Sequence, residues 1–203
     1  FKMTPTEVFK KAGIFENRTI AAHGVHLTDK DLDILKENKV SIVHNPASNL
    51  KLKSGFLNLA KVLDKGINIA LGTDSSASNN KLSILREMEL TGLVSKLYSS
   101  RDIEAYEILK MATINGARAL GMDDKIGSVK EGKLADLILI DLDNINHKPE
   151  NNILSSLIYS TYEDDIKYTI VNGNVIYENN RVVGIDNDLL DKKIKEASDR
   201  LGL

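Results

Sequence analysis

Three short apolar runs punctuate the first part of the chain: Thr19-Ile20-Ala21-Ala22, Val40-Ser41-Ile42-Val43 and Ile67-Asn68-Ile69-Ala70-Leu71. Each is followed by residues with helical spacing of their apolar side chains. Behind the first, Thr28-Asp29 forms a helix start ahead of Leu32, Ile34 and Leu35. Behind the second come a polar loop from Asn45 to Gly55 and a helix from Phe56 to Leu63, which Gly66 stops where a left-handed residue is wanted. Behind the third, a loop of small residues from Gly72 to Asn80 leads into a helix from Lys81 to about Leu97. Three β/α units at this spacing predict parallel strands covered by helices.

Outward from this stretch, the chain opens at Phe1 in what reads as a helix, and two further helices are expected from Ile103 to Met111 and from Ile114 to Leu120, with Gly121 as a stop. Beyond Gly132 the period changes to two. A buried strand is expected from Leu134 to Ile140, others from Ile166 to Val171 and from Val175 to Tyr177, and a fourth from Arg181 to Val183. Asn172-Gly173 supplies a tight hairpin turn. A charged amphipathic helix from Asn187 to about Leu201 closes the chain. The expectation is an α/β body over residues 1–132 and a small antiparallel β module with its helix over residues 133–203.

Composition narrows the function. With 27 Lys and Arg against 29 Asp and Glu, a net charge of -2 and a pI near 6.1, the chain has no field for polyanions, so neither nucleic acid nor an acidic membrane surface is an expected partner. A small-molecule substrate is expected instead. The absence of cysteine removes disulfides, thiol nucleophiles and Cys-ligated zinc, so any metal here needs His and carboxylate. No apolar run approaches the roughly 18 residues of a membrane span, and Lys2, Thr4, Pro5 and Glu7 stand where a signal peptide needs an apolar core. A cytoplasmic protein is the expectation.

Each of the three strands ends in a residue suited to metal binding or proton transfer: His23, His44 and Asp74. In a (β/α) barrel the site is built at the C-terminal ends of the strands, so these three are expected to converge on one mouth. A lone His at a strand end equally serves as a satisfied hydrogen-bonding residue, and that is the better reading of His44 taken alone. His23 and Asp74, in matching positions on alternate strands, read as functional. His26 completes an HxxH spacing with His23, but Gly24 breaks the helix such a pair requires. His147, beside Lys148-Pro149, reads as a solvated surface residue. The Asp141/Asp143 pair follows a strand of the β module and reads as a solvated turn. The 75–80 loop also reads as a helix N-cap, supplied by Asn79 or Asn80. The polar loop from Asn45 is explained as well by Asx and ST turns as by function.

At these residues the chain resembles the amidohydrolase superfamily, and within it the S-adenosylhomocysteine/5'-methylthioadenosine deaminase group, with guanine deaminases and triazine chlorohydrolases as relatives. The resemblance is carried by Ala21-Ala22-His23-Gly24-Val25-His26-Leu27, by His44-Asn45-Pro46-Ala47-Ser48-Asn49-Leu50-Lys51-Leu52, and by Leu71-Gly72-Thr73-Asp74 with Ala77-Ser78-Asn79-Asn80. A fourth stretch runs from Ala112 through Gly121 and Ile126-Gly127 to Leu137. The resemblance implies the C-terminal part of a (β/α)8 TIM barrel, about three β/α units plus extra helices, with part of a composite antiparallel β-sandwich. A complete barrel of this kind takes about 250 residues.

The resemblance further implies hydrolytic deamination of an adenosine-type purine, with one divalent metal, zinc or iron, in the intact enzyme. Asp74 would be a metal ligand and proton acceptor. His23 would contact the attacking hydroxide or the substrate. His44, Ser48 and Asn49 are carried as candidate substrate-binding residues. No His-x-His occurs in the chain, and the positions of the family's His-x-His and His-x-x-Glu would fall upstream of Phe1, so the resemblance implies a catalytically incomplete piece that holds no metal tightly by itself. Open strand edges would favour homo-oligomers or association through exposed barrel surface. The alternatives are another amidohydrolase reaction, of the guanine deaminase or triazine chlorohydrolase type, and a non-catalytic assembly module.

Overall fold

The computed structural model describes residues 2–202. The chain divides into two compact units, the first comprising residues 2–133 with Asp143–Glu163, the second Leu134–Leu142 with residues 164–202. Against the single boundary expected at 132/133, residues 143–163 thus return to the first unit. The reason is a helix the sequence did not announce, α8 (Ile153–Tyr159), which packs on α5 (Ile84–Tyr98) and α6 (Ala105–Ala112). His147 goes with it: expected in solvent, it is buried, and its Nδ1 lies 2.6 Å from Ser156 Oγ.

The first unit is built on a parallel sheet of three strands in the order β1 (Ile20–Ala22), β2 (Ser41–His44) and β3 (Ile69–Leu71). Ala22 stands opposite Val43, and His44 opposite Leu71, so the C-terminal ends of the strands lie side by side. Helices α1 (Pro5–Lys11), α2 (Asp29–Glu37), α4 (Leu59–Asp64), α5, α6 and α7 (Ile114–Leu120) belong to this body along with α8. Strands β2 and β3 are the more enclosed, with Ile42 and Ile69 fully buried and Leu32, Leu35, Leu59 and Val62 buried with them. Each such side chain contributes about 1.5–3 kcal/mol by leaving water. Helix α2 begins as expected, with Thr28 and Asp31 forming a reciprocal capping box.

Two elements differ from expectation in ways that matter for the site. The polar loop after β2 contains a helix, α3 (Pro46–Lys51), with Pro46 at its first turn, where a missing N–H costs nothing. Helix α5 starts later than Lys81 and is capped by Ser83, whose side chain accepts from the Arg86 amide; Asn79 and Asn80 are not its cap. Asn79 is engaged elsewhere, as described below.

The second unit is an antiparallel sheet ordered β4 (Leu137–Ile140), β5 (Ile166–Val171), β6 (Asn174–Glu178) and β7 (Arg181–Val182), followed by α9 (Asn187–Leu201). Asn172 and Gly173 both have positive φ, 48° and 77°, as a two-residue hairpin of this hand requires. The strand expected from Leu134 to be buried is shorter and half-open, with Ile138 and Leu139 exposed, because four strands and one helix enclose little. Among the described residues no helix is long and apolar enough to cross a membrane.

Where β3 ends, Gly72 lies so close to its neighbour strand that a Cβ would sit 2.6 Å from Asn45 Oδ1 and 2.6 Å from Val43 Cγ1. At Gly116, in α7, a Cβ would meet nothing within 4 Å. Gly72→Ala is therefore expected to lower stability by about 1–3 kcal/mol, and Gly116→Ala to raise it by about 0.5–1 kcal/mol. Urea unfolding midpoints that shift in the same direction for both variants would contradict this packing.

Candidate active site

The ends of β1 and β3 present the pair the sequence singles out. His23 Nε2 lies 3.8 Å from Asp74 Oδ2, and both side chains are part-exposed, at 40% and 30%. The His23 amide still bonds to Val43 O, so the residue continues the sheet ladder by one step before the chain turns. Both residues are left-handed, φ 68° at His23 and 60° at Asp74, an arrangement that costs a non-glycine residue about 1–3 kcal/mol and that clusters at functional sites.

What fixes the pair is α3, which reaches both partners from adjacent positions. Ser48 Oγ donates to Asp74 Oδ2 at 2.6 Å, and Asn49 Oδ1 lies 2.7 Å from His23 Nδ1. With the amide in this orientation Nδ1 carries the proton and donates, leaving the Nε2 lone pair directed toward the Asp74 side. The Ser48 hydroxyl, joined by the Ser78 hydroxyl and the Ser75 amide, holds the Asp74 carboxyl below its ordinary pKa. Asp74 is thus a carboxylate in neutral solution, with the Nε2 edge of the His23 ring facing it. Two acceptors side by side suit a proton-donating molecule between them.

Not every expected residue stands where the sequence put it. Ser48 and Asn49, carried as substrate-binding, are 0% and 1% exposed and act on Asp74 and His23 instead of facing solvent. His44 is buried as well. Its ring is 0% exposed, packs edge-on against Phe56 with centroids 4.7 Å apart, and neither nitrogen has a hydrogen-bond partner. The strand-end pattern is the same as for His23, but the His44 ring packs against Phe56 and is shut off from solvent. His26, read as a bystander, makes no contact with the pair that the hydrogen bonds record.

The sequence reading passed over Glu87. On α5 and fully buried, it accepts from the Ala47 amide at 3.0 Å and from Asn79 Nδ2 at 2.7 Å. The same Asn79 nitrogen donates to Thr73 O at 2.8 Å. Burial raises the Glu87 pKa, opposed by those two bonds and by Arg86. In Arg86-Glu87-Met88-Glu89 the residue looks like one more helix charge, and the only hint was its place in the first turn beside two apolar positions.

As a metal site the arrangement is insufficient. A catalytic zinc needs three or more protein ligands, whereas the described residues contain no group of three His, Cys, Asp or Glu placed to hold an ion. His23 and Asp74 offer two side chains, each already committed on one side to Asn49 and Ser48.

The amidohydrolase family model matches residues 2–176. A 5-methylthioadenosine/S-adenosylhomocysteine deaminase of Caldanaerobacter subterraneus is 46% identical over 200 residues, which is 98% of this chain and 46% of that protein. Among solved structures, a zinc-bound adenosine deaminase from Xanthomonas campestris superposes with a TM-score of 0.93 at 33% identity, over 98% of this chain and 46% of that one. A zinc-bound atrazine chlorohydrolase from Arthrobacter aurescens gives 0.86 at 28%, over 97% and 44%. The chain thus spans about half the length of the relatives it matches.

Burial without a partner pushes the His44 pKa down to about 3. The unfolded chain takes up this proton near pH 6.5 and the folded chain does not, so the stability is fully present above pH 6.5 and is lost as pH falls toward 3. Between pH 7 and pH 5, above the range where the lowered carboxylates titrate, His44 alone is expected to account for about 2 kcal/mol of lost stability. Urea unfolding of His44→Phe should lack that share of the loss; an unchanged pH dependence would show that His44 is protonated in the folded state.

Proposed function

The chain belongs to the amidohydrolase family, and from that premise we propose that the protein carrying it hydrolytically deaminates the adenine ring of 5'-methylthioadenosine- or S-adenosylhomocysteine-type nucleosides. One observation carries the reading: His23 and Asp74 meet at the ends of two parallel strands, held there by neighbouring residues of one short helix. The identity to proteins bearing this activity, 46% against 28% for the triazine hydrolase, favours the purine substrate. In this reading the first unit is part of a (β/α)8 barrel and the second, Leu134–Leu142 with residues 164–202, is part of the accompanying β-sandwich.

In the reaction, water adds to the purine carbon that bears the amino group, the carbon–nitrogen bond breaks, and ammonia leaves. Asp74, held ionised by Ser48, takes a proton from the attacking water and returns it to the departing amino group, which leaves as ammonia. His23, its ring fixed through Nδ1, accepts a hydrogen bond from the same oxygen at Nε2 and orients it. Positioned proton transfer of this kind is worth about 10²–10⁴ in rate. The zinc seen in related structures is not accommodated by His23 and Asp74 alone, and a complete ligand set would require donors beyond these 203 residues. Self-association belongs to the same proposal, since β1 is an edge strand with Ile20 exposed.

In the full-length protein, His23→Ala and Asp74→Asn are each expected to reduce ammonia release from S-adenosylhomocysteine and methylthioadenosine by about 10³-fold. Guanine and a chlorotriazine should be turned over far less efficiently by the unaltered enzyme. Retained deamination in Asp74→Asn, or a preference for either of those two substrates, would overturn the assignment.

A further inference from the structure

Helix α3 lacks the features that usually hold a short helix in place. It has six residues, its N-cap Asn45 makes no side-chain cap, and isolated helices of this length are unstable. Its first free amide, at Ala47, is satisfied by the Glu87 carboxylate, which arrives from a helix 40 residues further along. The other Glu87 oxygen receives Asn79, whose amide also grips the Thr73 carbonyl, the peptide group leading directly into left-handed Asp74. One fully buried carboxylate therefore bonds, on one side, to the helix that carries Ser48 and Asn49, and on the other, through Asn79, to the loop that carries Asp74.

We propose that Glu87 is a positioning residue: through Ala47 and Asn79 it sets the register between α3 and the Asp74 loop, and so the geometry of the His23/Asp74 pair. The role rests on the deaminase reading for its kinetic consequence, though not for its contacts. It needs a carboxylate and not merely a polar side chain. Both partners donate N–H, so whichever way a glutamine is turned, its amide nitrogen meets either the Ala47 amide or the Asn79 amide, donor against donor. The Asn79 amide has no spare hydrogen to rearrange, since one goes to Thr73 and the other to Glu87. A carboxylate of this kind, out of reach of solvent, does no chemistry on a ligand. It acts by keeping two segments from sliding, and displacements of about 1 Å at a reacting centre cost as much as 10²-fold.

The test is steady-state kinetics of the full-length protein carrying Glu87→Gln, Asn79→Ala, Ser48→Ala and the double variant Glu87→Gln/Ser48→Ala, with folding checked by circular dichroism. Glu87→Gln is expected to lower kcat by about 10–100-fold with KM changed less than about threefold, because the loss falls on geometry reached in the transition state. The double variant should be no worse than its poorer parent, since both substitutions release the same carboxylate. If Glu87→Gln does not fold, Asn79→Ala, which leaves the Ala47 bond intact, is expected to show the same split. A kcat within twofold of the unaltered enzyme, a loss confined to KM, or costs that multiply in the double variant would overturn the inference. Full activity of Glu87→Gln beside inactive His23→Ala and Asp74→Asn would remove only the positioning role; activity in all of them would remove the deaminase reading itself.

Discussion

The arrangement depends on parallel pairing in register. Because β1, β2 and β3 run the same way and align Ala22 with Val43 and His44 with Leu71, whatever follows each strand emerges at one edge of the sheet. Antiparallel pairing of the same strands would send alternate ends to opposite edges. The close approach at Gly72 belongs to the same constraint, since it lets the end of β3 run against Val43 and Asn45 without a side chain intervening.

On this platform the chemistry is assembled by a layer that the strands do not provide. His23 and Asp74 both leave the sheet in a conformation that non-glycine residues avoid, and each is tied down by a hydrogen bond from α3. Helix α3 is in turn tied to α5 by Glu87. The hydrogen bonds run from buried carboxylate to short helix to the His23/Asp74 pair, one or two at each step, buried at Glu87 and part-buried at the pair. Such bonds are worth most where water is excluded, and leaving one partner unpaired there costs about 1–3 kcal/mol.

The sequence displayed the sheet and the juxtaposition of His23 and Asp74 well. Apolar runs of four or five residues, each closed by a polar residue of proton-transfer type, are a strong local signal, and Asn172-Gly173 fixed its hairpin by backbone preference alone. What it hid was set by tertiary contact. Pro46 to Lys51 has the composition of a turn and becomes helical with its amide capped by a residue far along the chain. Ser83 caps α5 where the sequence offered Asn79 or Asn80, because Asn79 is drawn to Thr73 and Glu87. His44 and His23 share a pattern and differ in fate because Phe56 packs against one ring while the other stays part-exposed and bonds Asn49. His147 is buried by a helix whose own sequence, Ile-Leu-Ser-Ser-Leu-Ile-Tyr, reads equally as a strand.

The account stands on His23 and Asp74 acting on one and the same oxygen. A crystal structure of the full-length protein with a nucleoside analogue bearing a tetrahedral hydroxyl at the reacting purine carbon tests this directly. The hydroxyl is expected within hydrogen-bonding distance of both His23 Nε2 and the Asp74 carboxylate, with Ser48 and Asn49 still bonded behind them. An analogue bound elsewhere, or one whose hydroxyl touches neither side chain, would contradict it.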